Sequence, residues 1–260
     1  AMEEILIRDV HETLDIDDLL RFIESLSDMR NISDFLIQIQ NKSKLHLIFD
    51  RILQDMPESL PSVDKVVKFV YSYAKWRFWG SRGRREIGWD RFETLGYLIQ
   101  HCYHCIDRDE GCGDEFQRIN SSILLSYTVA LLGVTGSDIV YQTITLAQNS
   151  PKEILSQDLD DIIGLLFAQA KYIHAIKSEE NKEMVDQIIK VACQSEDLKN
   201  LHPSYYALFI WSIGVLRDTT SEAFDFQRSH NIPVYTRDEL RCLTPTMSAL
   251  LVSIYHLFAC

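Results

Sequence analysis

Residues 65–91 read KVVKFVYSYAKWRFWGSRGRREIGWDR and hold eight Lys or Arg against two acids, Glu86 and Asp90. They also hold Trp76, Trp79 and Trp89, three of the chain's four tryptophans. Cations attract phosphate oxygens, a guanidinium forks onto them, and an indole offers a face on which a base can stack. The chemistry open to such a stretch is the holding of a polyanion, with RNA the first candidate. Lys65, Lys68, Lys75, Arg77, Arg82, Arg84 and Arg85 are the expected phosphate grips, and Trp76 or Trp79 the stacking ring. Two other readings use the same residues. The tryptophans can be core while the arginines neutralise acids such as Asp15, Asp17 and Asp18, or the stretch can dock an acidic protein partner.

Other residue types with reactive or ligating side chains are less well arranged. His101, Cys102, His104, Cys105 and Cys112 contain a C-x2-C and invite a zinc reading. Leu95, Leu98, Ile99, Cys102, Cys105 and Ile106 fall on one helical face, however, so the thiols read as small core residues. The sequence has no second C-x2-C and no H-x3-H. Residues 107–114, DRDEGCGD, have the composition of a calcium loop without its order of ligands, and read as a solvated turn. Asp17/Asp18 and Asp160/Asp161 sit at helix starts, where the dipole favours negative charge. There is no Gly-rich phosphate loop, no G-x-S-x-G and no H-E-x-x-H, and His46, His174, His202, His230 and His256 are scattered singly. The expectation is a protein that is not an enzyme and needs neither metal nor cofactor.

The elements that must position the basic stretch repeat along the chain. Six segments open with Leu or Ile, continue with Asp, Ser, Asn, Thr or Pro, and run into a helix-length apolar stretch. They are residues 14–26, 60–75, 119–132, 155–171, 201–216 and 243–258. A short polar side chain caps the free N–H groups of a helix, Pro fits its first turn, and the leading apolar residue can staple back onto it. More ordinary amphipathic segments lie between, at 32–55 (broken near Asn41), 90–106, 137–148, 179–194 and, more weakly, 219–227. Two helices per unit, with starts 36–59 residues apart, predict an all-α fold: an α-solenoid of about six degenerate helical hairpins. Residues 1–260 then form one helical-repeat domain, expected to be a piece of a longer protein. The longest unit carries the basic and aromatic insertion around residues 76–91.

Composition narrows the partners. The net charge is −12, so contact with nucleic acid must be local, and neither DNA nor a membrane surface is expected. With 46% hydrophobic residues and few Gly or Pro, the chain can build a sizeable helical core. Six dispersed cysteines fit an intracellular, reducing compartment better than a disulfide framework. The apolar 243–260 helix would need a cover, from further chain or from a protein partner.

The segments LSQDLDDIIGLLFAQAK (155–171) and LTPTMSALLVSIYHL (243–257), with the four similar openings, resemble octotricopeptide and heptatricopeptide helical repeats. These repeats belong to a group of organelle RNA-binding proteins that includes FAST-kinase-like chains. The resemblance implies an RNA-binding scaffold in a mitochondrion or other organelle, using the first helix of each pair. Asp158, Asp160 and Asp161 depart from that pattern, because they would repel phosphate. The alternative expectation is a protein–protein scaffold in a larger assembly, its acidic surfaces meeting basic partners.

Overall fold

The computed structural model describes residues 14–27, 45–56, 60–79, 89–176, 178–201 and 203–216. Among these residues the chain is all-helical, with ten α-helices, short 3-10 segments and no strand. It divides into two compact units, Ala1–Gly113 and Asp114–Cys260. Of the expected segment 32–55, residues 32–44 lie outside the described residues, as do the expected helices at 219–227 and 243–258.

The first unit contains α1 (Ile16–Ser27), α2 (Leu45–Asp55), α3 (Val63–Trp79) and α4 (Trp89–Arg108). The Asp18 amide donates to Asp15 Oδ1 at 2.8 Å, so the acidic run before α1 works as a helix cap. Helix α3 packs on α1 and α4, while α2 packs on α1 and α4. First helices thus touch first helices and second helices touch second helices. Phe49 of α2 joins the pairs, with its ring centroid 5.9 Å from Phe69 and 5.3 Å from Tyr73 of α3.

The second unit contains α5 (Glu115–Leu132), α6 (Ser137–Asn149), α7 (Pro151–Leu155), α8 (Leu159–Lys171), α9 (Glu179–Gln194) and α10 (Pro203–Leu216). Helix α8 lies between α5 and α10, and α6 packs on α9. The two-layer order of the first unit therefore recurs. Asp114 caps α5 through the Gln117 amide at 2.9 Å, and Ser178 caps α9 through the Asn181 amide at 3.1 Å. The short helix α7 was not anticipated from sequence. Pro151 fits its first turn, and the chain turns at Ser156 and Gln157 before extended Asp158 opens α8.

Polar side chains bind the layers where apolar packing leaves gaps. Ser122 and Ser126 of α5 both reach Thr143 Oγ1 of α6 at 2.7 Å, inside the core. The end of α8 covers the C-terminal carbonyls of α5. Lys171 Nζ donates to Ala130 O at 2.5 Å, and the Tyr172 hydroxyl donates to Val129 O at 3.0 Å and also to Val134 O. A helix end leaves four carbonyls without intrahelical donors, so this cross-helix cap fixes α8 against α5.

Two glycines are expected to respond in opposite directions to alanine. A Cβ at Gly164 would overlap the buried Tyr127 ring, so Gly164→Ala should destabilise by about 1–3 kcal/mol. A Cβ at Gly96, inside α4, meets nothing within 4 Å. Gly96→Ala should therefore stabilise by about 0.5–1 kcal/mol through helix propensity. Urea unfolding of both variants measures the contrast, and equal shifts would contradict the packing described for α8.

Tyr127 also gives the unit a pH response. Burial pushes its hydroxyl well above the usual tyrosine range, with Tyr205, Asp160 and Asp161 adding to the rise. The folded chain keeps this proton above pH about 10, where an unfolded tyrosine releases it. Stability from this group is present below that pH and falls as pH rises past it, by about 1.4 kcal/mol per pH unit. Tyr127→Phe should make the alkaline fall in melting temperature shallower while changing the neutral value less.

Candidate interaction surface on helix α3

Helix α3 carries the first half of the basic stretch. Val63, Val66, Val67, Val70, Tyr71 and Ala74 follow helical spacing, and all six are buried. Phe69, Ser72 and Tyr73 are buried as well, so the helix is enclosed on more of its circumference than one stripe requires. Asp64 in the first turn and Arg77 in the last complement the helix dipole.

The lysine stripe is therefore not one solvated edge. Lys65 Nζ lies 3.6 Å from Asp17 Oδ1 of α1, which ties the two first helices together at the surface. Lys68 Nζ lies 3.2 Å from Asp64 Oδ2, one turn back on the same helix. Ser72 turns its hydroxyl inward to Lys68 O at 2.8 Å. Lys75 is only 2% exposed, with its ammonium 4.8 Å from the centre of the Tyr71 ring. This burial counts against the expectation that Lys75 grips phosphate. Neighbouring helices enclose α3 at that depth, and an aromatic face takes the place of solvent around the cation.

Trp76 is half-buried and stacks on Phe49, with centroids 5.2 Å apart and planes inclined by 27°. Tyr73 is the third ring of this cluster, 5.8 Å from Trp76. One face of the expected stacking indole thus belongs to the core. Arg77 is half-buried, and Trp79 is the last residue of α3. Arg82, Arg84 and Arg85 lie outside the described residues.

Cys102 and Cys112 are buried, whereas Cys105 is half-buried. Cys102 is fully buried, and burial pushes its thiol far up, helped by Cys105 and Cys112. Burial also raises Cys105, as does Glu110, although Arg108 counters in part. The Cys105 sulfur sits 3.7 Å from His101 Nε2. Thiols held protonated are poor nucleophiles and poor metal ligands. Among the described residues, no group of three or more His, Cys, Asp or Glu could hold a metal ion.

Sequence periodicity passed over the outer face of α4. Phe92 and Tyr97 are 44% and 52% exposed, and Tyr97 stacks on His101 with centroids 6.3 Å apart. Tyr97 lies off the stripe that Leu95, Leu98, Ile99 and Cys102 bury, whereas Phe92 shares the side of Ile99 and is exposed near the start of the helix.

With the fold and this surface in view, the chain matches no family model, no curated protein and no solved structure. Among the described residues, no helix is long and apolar enough to cross a membrane.

The two kinds of lysine should separate in stability measurements. Lys65→Ala removes an exposed pair and should cost about 0–1 kcal/mol. Lys75→Ala removes a buried stem and its ring contact, and should cost about 1–3 kcal/mol. Lys75→Met should recover much of that loss by refilling the space. Chemical denaturation decides, and a silent Lys75→Ala would return this residue to the surface.

Proposed function

We propose that the chain is a non-enzymatic helical-repeat scaffold that meets basic protein partners through acidic surface. The observation that carries this reading is the commitment of the described lysine stripe within the fold. Lys65 and Lys68 pair with aspartates, and Lys75 is buried against Tyr71. The net charge of −12 supports it, because a surplus of carboxylates attracts cationic surfaces and repels phosphate. The recurring contacts of first helix with first helix and second with second support a solenoid arrangement of hairpins.

RNA binding is the competing proposal, carried by Arg82, Arg84 and Arg85 and by the resemblance to organelle RNA-binding repeats. The two separate in one experiment. Fluorescent polyuridine RNA and a fluorescent nona-arginine peptide are each titrated with the protein between about 50 and about 200 mM salt. A scaffold for basic partners binds the peptide, more weakly as salt rises, and leaves the RNA free at low salt. RNA binding that falls steeply with salt, and is reduced in Arg82/Arg84/Arg85→Ala, would replace the scaffold reading with the organellar one.

A further inference from the structure

The turn between α7 and α8 and the turn following α9 line an open cavity of about 400 Å³ in the second unit. Cavities of this size hold small ligands or single side chains with part of their backbone. Leu155, Leu159, Ile162 and Val191 supply apolar wall, and Gln157, Asp158, Gln194, Ser195 and Asp197 supply polar wall. Among the described residues, no Lys or Arg lines it.

The polar wall is built rather than incidental. Gln157 is 6% exposed and held at both ends of its amide. Its Nε2 donates to Glu153 O at 3.0 Å, and its Oε1 accepts from Asn120 of α5 at 3.0 Å. The same Asn120 amide also donates to Asp161 Oδ2 at 3.2 Å. The Gln157 amide nitrogen carries a second N–H beside the one given to Glu153 O. Asp158 opens α8 without turning its side chain onto the helix amides, and Asp197 contributes its backbone N–H, not its carboxylate, to the Ser195 hydroxyl. Two negative charges outweigh the roughly half positive charge of the α8 N-terminus.

Apolar side chains beside two carboxylates complement a long aliphatic stem with a cationic head. We propose that this cavity receives an arginine side chain of a partner protein. The guanidinium meets Asp158 and Asp197, the stem lies along Leu159, Ile162 and Val191, and the second Gln157 N–H can donate to a peptide carbonyl. Arginine suits two carboxylates better than lysine, because its five donors are fixed in one plane. This inference rests on the basic-partner reading above and gives that reading a place on the molecule.

The test is methyl NMR of the whole chain with N-acetyl-arginine amide at millimolar concentration, and N-acetyl-citrulline amide as the neutral isostere. The expected result is a shift of the Leu159, Ile162 and Val191 methyls with arginine only. Asp158→Asn/Asp197→Asn should weaken that binding about tenfold or more. Val191→Phe should weaken it too, by filling the cavity while leaving both carboxylates in place. Equal shifts with citrulline, undiminished binding in the Asn variant, or no shift at these methyls would overturn the proposal. Binding that survives Val191→Phe would show an open acidic surface rather than a cavity, and would overturn it as well. If the Asn variant still binds nona-arginine like the parent chain, the cavity assignment fails while the scaffold reading stands.

Discussion

Residues 162–170 of α8 are buried without interruption, and a helix with no solvent face can exist only between neighbours. Its enclosure by α5 on one side and α10 on the other follows from that constraint, with α9 packed on it as well. Gly164 lets the Tyr127 ring lie against the α8 backbone, and Phe167 meets Trp211 of α10 at 5.3 Å between centroids. The same demand passes to the neighbours. Helix α5 is buried continuously over residues 121–131, and most of α10 is buried. Serine and threonine then serve as small residues in the interior, where Ser122, Ser126 and Thr143 satisfy one another's hydroxyls.

Once the interior of the second unit is filled this way, its described charges lie at helix ends and on less buried faces. Asp17 and Asp18 of α1, Glu115 of α5, and Glu179 and Glu180 of α9 sit in first turns, where free N–H groups and the helix dipole favour them. Exposed pairs such as Lys182–Glu179 at 2.6 Å and Arg118–Glu115 at 3.5 Å neutralise some of these acids, and each contributes little to stability. Asp158 and Asp197 differ because both line the same cavity.

Element identity was legible because it depends on local chemistry. Short polar residues at helix starts, a proline in the first turn and a 3.6-residue apolar period mark α1, α3, α5, α6, α8, α9 and α10 without any tertiary knowledge, although α5 begins at Glu115 behind Asp114, ahead of the expected 119. The small-residue reading of Cys102 came from the same periodicity. The cavity was not legible. It depends on α7, a five-residue helix too short to show a period, and on two turns brought together by the packing of α8 with α9. Nothing in the spacing of Asp158 and Asp197, which are thirty-nine positions apart, marks them as neighbours.

Lys75 shows why charge pattern is the weaker guide. Lys65, Lys68, Ser72 and Lys75 share a helical face, and a wheel projection treats that face as uniform along its length. The face is uniform only if the neighbours are as long as the helix and parallel to it. Lys65 and Lys68 sit at the open end of α3 and reach aspartates, whereas Lys75 lies where surrounding side chains have already closed over the helix. A lysine tolerates this because its four-carbon stem packs like a hydrophobe and its ammonium can rest on an aromatic face. Burial beside Tyr71 thus converts a residue that reads as a phosphate contact into part of the first unit's core.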